Sequence, residues 1–227
     1  MFKKNSYSQG GEDLILVKLL GNKPKGFFID VGANDPELLN NTYLFYRKGW
    51  SGVNFEPIPE LAEKFRRKRD RDIVITKAMS NFKGEAVFST GIKEYEVNSS
   101  LLSVNLPKQK NITVEVDTLE NILDQLGIQE IDFISIDTEG TEVDVLEGLN
   151  LSKYRPKFIL AEYNTSSKAN NQLSPYLFTH GYQPVYINKW NIIFSENFST
   201  DAINCYQQSN KKVKNIFRSL IRKITAM

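Results

Sequence analysis

Residues 27–34 read Phe-Phe-Ile-Asp-Val-Gly-Ala-Asn, and residues 52–57 read Gly-Val-Asn-Phe-Glu-Pro. Each is a short apolar run that halts at an acid, the pattern of a strand buried on both faces that ends in a polar turn. A strand that stops at Asp30-Val31-Gly32-Ala33-Asn34 and opens toward a helix places unblocked backbone N–H groups near a ligand. The second strand stops at Glu56, 24 positions beyond Gly32. That is where a Rossmann-like sheet holds the two ribose hydroxyls of a nucleoside. The two runs together predict a parallel α/β sheet that binds a nucleoside cofactor.

What is missing narrows the cofactor. A dinucleotide site needs Gly-x-Gly-x-x-Gly so that a pyrophosphate approaches bare backbone at a helix N-terminus. Here Gly32 is followed by Ala33, Asn34, Asp35 and Pro36, and Asp35 adds negative charge where a diphosphate would sit. S-adenosylmethionine carries no phosphate, and its sulfonium and ammonium groups tolerate Asp30 and Asp35, while Glu56 accepts from the ribose. The structural alternative for Asp30 and Asp35 is a helix cap or an Asx turn before Pro36.

Along the chain, Ser8-Gln9-Gly10-Gly11-Glu12-Asp13 precedes a helix through Leu20 that stops at Gly21. Strands at about 26–31, 51–55 and 73–75 alternate with helices at about 37–48 and 60–69, the rhythm of a parallel sheet with right-handed crossovers. Strands around Ala86-Val87-Phe88 and Thr113–Val116 flank a polar loop holding Asn98, Ser99 and Ser100, read either as a substrate cover or as a plain excursion. A helix at Leu119–Leu126 leads to a fourth strand at Ile131–Ile136. Asp137-Thr138-Glu139-Gly140-Thr141-Glu142 and another helix follow. The fifth strand, Phe158–Ala161, ends in Glu162-Tyr163-Asn164. A helix at about 170–180 leads to strands at Pro184–Ile187 and Ile192–Phe194 joined by a hairpin turn at Asn188–Asn191.

At 227 residues, 41% hydrophobic and 25% charged, the chain suits one globular domain. No stretch has the roughly 18 apolar residues of a transmembrane helix. The first residues lack an apolar signal core, and the single Cys205 makes no internal disulfide, so a cytoplasmic setting is expected. Asn-x-Ser/Thr triplets such as those at Asn98 and Asn164 reflect an Asn-rich composition rather than glycosylation. The net charge of +2 is uneven: residues 211–227 hold six bases and no acid, which leaves −4 on the rest. A mildly acidic body argues against a nucleic-acid surface.

Read together, Asp30-Val31-Gly32-Ala33-Asn34, Gly49-Trp50-Ser51-Gly52, Glu56-Pro57, Ile136-Asp137-Thr138-Glu139-Gly140-Thr141-Glu142 and Val145-Leu146-Glu147-Gly148 make the chain resemble the FkbM family of S-adenosylmethionine-dependent methyltransferases. Ser8-Gln9-x-Gly11-Glu12-Asp13 also resembles that family's opening segment, and the resemblance spans roughly residues 6–195. It implies an α/β, Rossmann-like class I methyltransferase fold. That fold has a seven-stranded, mostly parallel sheet with helices on both faces and the last strand antiparallel. The implied activity is O-methylation of a hydroxyl on a sugar or comparable ring. Asp35-Pro36 departs from the family's more usual Asp-Gly. By matching motif, Asp30, Gly32 and Asn34 face the methionine end, Glu56 the ribose, and the Ala78-Met79-Ser80-Asn81 turn, with Ser80, the adenine. Asn41-Thr42 either closes the pocket or caps the next helix.

Methyl transfer to a hydroxyl needs an in-line approach and an outlet for the proton. Asp137 and Glu162 end adjacent central strands, and Glu139 lies two residues beyond Asp137. In one reading Asp137 or Glu139 is the base, its pKa raised by burial and a neighbouring carboxylate. In the other, Asp137 and Glu162 hold Mg2+ or a similar hard divalent cation that acidifies the hydroxyl. In a third, Asp137 and Glu142 only cap the following helix. His180, the one histidine, reads as a favourable charge at a helix C-terminus. Trp190 and Tyr163 are sugar-stacking candidates or ordinary core and turn residues.

The domain of residues 1–200 is followed by an extension, 201–227. Within it Val213, Ile216, Phe217, Leu220, Ile221 and Ile224 recur three and four apart among the bases. That is a basic amphipathic helix over about 211–226. It suits an anionic membrane on the inner face and a lipid-carried acceptor such as a surface polysaccharide or lipopolysaccharide; the alternative is packing on the domain or a partner. Two other functions compete with O-methylation of a glycan: a nucleotide-sugar- or glycan-processing enzyme that transfers no methyl, and a non-catalytic cofactor-binding partner in glycan assembly.

Overall fold

The computed structural model describes residues 6–90, 110–163 and 170–196. The chain begins with α1 (Glu12–Leu19), β1 (Phe27–Val31), α2 (Tyr43–Arg47), β2 (Ser51–Phe55), α3 (Pro59–Lys68) and β3 (Ile73–Ile75). It continues with β4 (Ala78–Met79), β5 (Gly84–Thr90), β6 (Lys110–Asp117), α4 (Leu119–Gln125), β7 (Phe133–Ile136), α5 (Glu142–Glu147) and α6 (Leu151–Tyr154). It closes with β8 (Phe158–Glu162), α7 (Asn170–Thr179), β9 (Gln183–Ile187) and β10 (Asn191–Ser195). Seven strands form one sheet in the order β3-β2-β1-β7-β8-β10-β9. β1, β2, β3, β7 and β8 pair in parallel, while β10 runs antiparallel to both of its neighbours. The expected class I sheet, including its antiparallel last strand, is therefore observed.

The strands are nearly continuous apolar runs because both faces are covered. One face packs Ile29, Val31, Val53, Phe55, Ile134, Ile136, Ile159 and Ala161 against α4, α5, α6 and α7. The other packs Phe28, Phe133, Leu160 and Ile193 against Leu16 of α1 and Phe45 of α2. Alternation sends Asp30, Asn54, Ser135 and Glu162 to the second face, with Asp30 in register with both Asn54 and Ser135. A core Phe or Leu cut to Ala here costs about 2–5 kcal/mol.

Two local outcomes differ from the sequence reading, in the helix before β2 and in α6. The helix expected over 37–48 is helical only from Tyr43 to Arg47. Leu39 takes a left-handed conformation at φ 52, and the Asn40 side chain accepts from the amides of Thr42 and Tyr43 at 2.9 and 2.8 Å. Asn40 thus ends an irregular loop and starts the helix. The strands read around 86–88 and 113–116, outside the parallel alternation, form at 84–90 and 110–117 and make with β4 a separate three-stranded sheet. The short α6 was not foreseen; Asn150 caps it by accepting from Ser152 and Lys153.

The hairpin turn at Asn188–Asn191 forms as expected, with the Asn188 side chain accepting from the amides of Trp190 and Asn191. No helix among the described residues is long and apolar enough to cross a membrane. The Asn98-Ser99-Ser100 loop, Asn164, Cys205 and the 201–227 extension lie outside the described residues.

Candidate functional site

The carboxyl ends of β1, β2, β7 and β8 gather nearly every candidate residue. At the end of β1 the chain bends at Gly32, φ 75, so tightly against β7 that a Cβ there would overlap the Asp137 carbonyl oxygen. Only glycine fits that approach. The amides of Gly32 and Ala33 donate to the Phe55 carbonyl at 3.0 and 3.1 Å, and the amide of Asn34 donates to Glu56 at 2.9 Å. The bend therefore does not offer unblocked N–H groups, as the sequence suggested; β2 has already taken them, because the two strand ends are hydrogen-bonded neighbours.

Those same amides fix Glu56. Its carboxylate accepts from Asn34 and, at 2.9 Å, from the amide of Ile58, and it is 4% exposed. Burial pushes its carboxyl up to about 7, with the Asp30 charge adding to the rise and the two amides opposing it. Beside it an open cleft is lined by Val31, Gly32, Phe55, Pro57, Met79, Phe88, Asp137 and Thr138. Ala78 and Met79 line this cleft; Ser80, whose amide donates to the Asp117 carbonyl, is buried next to them.

Asp30 sits deeper. Its carboxylate accepts from Thr42 Oγ1 at 2.8 Å and Asn40 Nδ2 at 3.2 Å. Burial pushes its carboxyl up, opposed by the Arg69 guanidinium. Arg69 has no exposed surface and donates to the Pro36 carbonyl, Asn40 Oδ1 and Thr42 Oγ1. This ion and amide cluster ties the 33–42 loop to the sheet. Asn41, on that loop, reaches Ser135 Oγ at 3.1 Å. Asp35 accepts from the amides of Glu37 and Leu38, an Asx turn, and pairs with Lys64.

Sequence reasoning passed over Asn40 and Arg69. Arg69 lay hidden in a run of bases, yet Ala62, Phe65 and Arg69 are spaced three and four apart and are the buried positions of that segment. The spacing alone would have marked it as inward.

At the ends of β7 and β8, Asp137, Glu139 and Glu162 bring one carboxylate oxygen each to within 4.8 Å of one another. Burial and then the charges of Glu162, Glu142, Asp30 and Glu12 push Asp137 up to about 8. Its side chain nevertheless opens to solvent at the cleft mouth, so hydration offsets part of the burial cost and the four acids carry the upward direction. Burial and neighbouring acids push Glu139 and Glu162 to about 7. Among the described residues no lysine or arginine pairs with Asp137 or Glu162. Glu142 does not join them: its carboxylate accepts from the amides of Thr138 and Gly140 and braces the loop.

His180 lies at the end of α7 with a ring nitrogen 2.8 Å from the Tyr176 carbonyl, far along the chain from the acids. Three convergent carboxylates with raised pKa values, beside a cleft flanked by the buried Glu56, can take up a proton or bind a hard cation.

Residues 30–184, more than half of the chain, match the model of the methyltransferase FkbM domain. The chain is 27% identical over 174 residues to the 2-O-methyltransferase NoeI of Sinorhizobium fredii, covering 70% of this chain and 71% of that protein. Similar solved structures include the O-methyltransferase from Bacillus cereus in complex with SAH. That chain is 12% identical, with a TM-score of 0.45 over 85% of this chain and 83% of its own. Another is a TehB-like SAM-dependent methyltransferase from Corynebacterium glutamicum, 8% identical, with a TM-score of 0.46 over 86% and 90%.

Proposed function

The chain belongs to the FkbM methyltransferase family, and we propose that it transfers the methyl group of S-adenosylmethionine to a hydroxyl of a sugar or glycan. The observation that carries this reading is the convergence of Asp137, Glu139 and Glu162 within 4.8 Å at the rim of the Gly32 cleft. The likeness to a 2-O-methyltransferase supports oxygen as the acceptor atom.

The residues suit such a cofactor. Glu56 is held by two amides with lone pairs left for a ribose diol. The acids around Asp137 favour a cation, and the amides of Gly32, Ala33 and Asn34 are already engaged, which leaves no backbone cradle for a diphosphate there. When bound, S-adenosylmethionine supplies a methyl group made electrophilic by its sulfonium.

Gly32 sets the cofactor's depth by letting β1 close on Asp137, and Glu56 orients the nucleoside. Asp137 accepts the proton as the acceptor oxygen forms its bond to carbon and the bond from carbon to sulfur breaks, giving a methyl ether and S-adenosylhomocysteine. Burial and then the charges of Glu162 and Glu142 hold the Asp137 carboxyl well above the ordinary carboxylate range. A second reading rests on the same convergence: the three carboxylates are the oxygen donor set that Mg2+ or a similar hard cation takes, and such an ion would lower the hydroxyl's pKa. The 211–226 segment, from its sequence, is proposed to lie on an anionic membrane, which suits a lipid-linked acceptor.

Calorimetry tests the reading. S-adenosylhomocysteine should bind at micromolar Kd while NAD and UDP do not, and a methyl ether should form on glycan incubated with S-adenosylmethionine. Binding of NAD or UDP instead would favour a non-methylating, nucleotide-sugar-processing enzyme.

A further inference from the structure

Beside the acid trio, the segment before α1 is locked onto the turn between β9 and β10. Glu12 has no exposed surface and accepts three hydrogen bonds, from the Gly10 amide at 2.7 Å, Asn188 Nδ2 at 2.6 Å and Asn191 Nδ2 at 2.8 Å. Asn191 is in register with Glu162, and the amide of Tyr163 donates to the Trp190 carbonyl. The turn therefore stands next to the acid that ends β8. Gly10 fills the contact. A Cβ there would collide with Asn188 Nδ2, lie 2.7 Å from Glu12 Oε1 and lie 3.1 Å from Cε3 of Trp190.

Trp190 is thus packed against bare backbone on one side and remains 36% exposed, whereas Trp50, the other tryptophan, is 1% exposed. Lys189 Nζ lies 5.3 Å from its ring centroid, and Gln9, next to Gly10, is exposed. A large apolar ring held at the surface by a buried carboxylate and a side-chain-free contact contributes little to the core. It suits a rigid contact surface, because an aromatic ring gives area at small entropy cost.

We propose that Trp190 is the platform on which the sugar ring of the acceptor stacks, displacing the Lys189 ammonium that lies over the ring, with Gln9 nearby, making it a specificity-determining residue for acceptor rather than cofactor. This rests on the glycan reading above. A pyranose offers one face of C–H groups to an indole and a rim of hydroxyls to an amide and an ammonium. Glu162 is in register with Asn191, the residue that follows Trp190, so the platform adjoins the acid trio.

The full chain is titrated with methyl glucoside, galactoside, mannoside and rhamnoside while tryptophan emission and acrylamide quenching are followed. Trp50 is buried, so the quenchable signal belongs to Trp190. At least one glycoside should shift the emission and protect it from acrylamide. W190A should raise KM for the methylated glycoside, or Kd where only binding is seen, at least tenfold. Its Kd for S-adenosylhomocysteine and its Tm should stay within twofold and about 2 °C of the parent, and W190F should recover most of the loss. Unchanged acceptor affinity in W190A, or equal loss of S-adenosylhomocysteine affinity, would overturn the proposal. A parent protein that binds no S-adenosylhomocysteine sinks the methyl-transfer reading. One that binds it while no glycoside perturbs Trp190 sinks the platform alone.

Discussion

Gly32 and Asp137 touch through backbone: the α-carbon of Gly32 packs so closely on the Asp137 carbonyl oxygen that any Cβ would overlap it. The contact joins the exits of β1 and β7 and sets the cleft and the acid trio at a fixed separation. Gly32→Ala combines left-handed strain with overpacking, a loss of roughly 2–6 kcal/mol. Urea unfolding should show that loss, and calorimetry on whatever remains folded should show no S-adenosylhomocysteine binding. A variant with parental stability and affinity would refute the role.

Glu56 is the second test. Losing a charge-assisted hydrogen bond to the cofactor removes about 1.5–3 kcal/mol, so Glu56→Ala should weaken S-adenosylhomocysteine roughly 10- to 100-fold. Because its carboxyl lies at about 7 and the ribose hydroxyls donate to the ionised form, affinity should fall as pH drops below 7. Glu56→Gln should flatten that profile; a pH-independent parent would count against the contact.

Asp137 sets the pH dependence of turnover. As the base it must be ionised, and its carboxyl lies at about 8 in the free protein. The value of kcat/KM should rise with pH and level off above about 8. Asp137→Asn should lower kcat by at least 100-fold while changing S-adenosylhomocysteine affinity less. The reverse pattern would place Asp137 in cofactor binding alone.

The same trio makes a stability prediction. Asp137, Glu139 and Glu162 have folded pKa values of about 7 to 8, above their ordinary 3.8 to 4.5. The folded state then binds more protons than the unfolded state between about pH 4 and 8. Their contribution is present below pH 4 and lost as pH rises through 7 to 8. Glu162→Gln should raise Tm at pH 8 and leave it unchanged at pH 4.

A divalent cation would relieve the same repulsion. If the trio binds one, millimolar Mg2+ or Mn2+ should raise Tm at pH 8 more than at pH 5, and Asp137→Asn with Glu162→Gln should abolish the effect. No shift at either pH, with turnover unaffected by a chelator, would leave proton uptake by Asp137 as the remaining reading.

The sequence alone determined the strand ends. Apolar runs halted by Asp30, Glu56, Asp137 and Glu162 state directly which backbone is buried on both faces and where the strands end, so the sheet and its acidic edge were legible. Chain-local patterns do not encode what closes on what. The amides of the Gly32 bend were taken by Phe55 and Glu56 because β1 and β2 are neighbours. The 37–42 segment left the helix because Asn40 and Arg69 bind it to Asp30 across the fold. Glu12 became a buried clamp only when β10 arrived beside it, some 180 residues later. Hydrophobic period reports burial one residue at a time, whereas hydrogen-bond partners, like-charge proximity and the pKa values they impose depend on distances that exist only once the sheet has assembled.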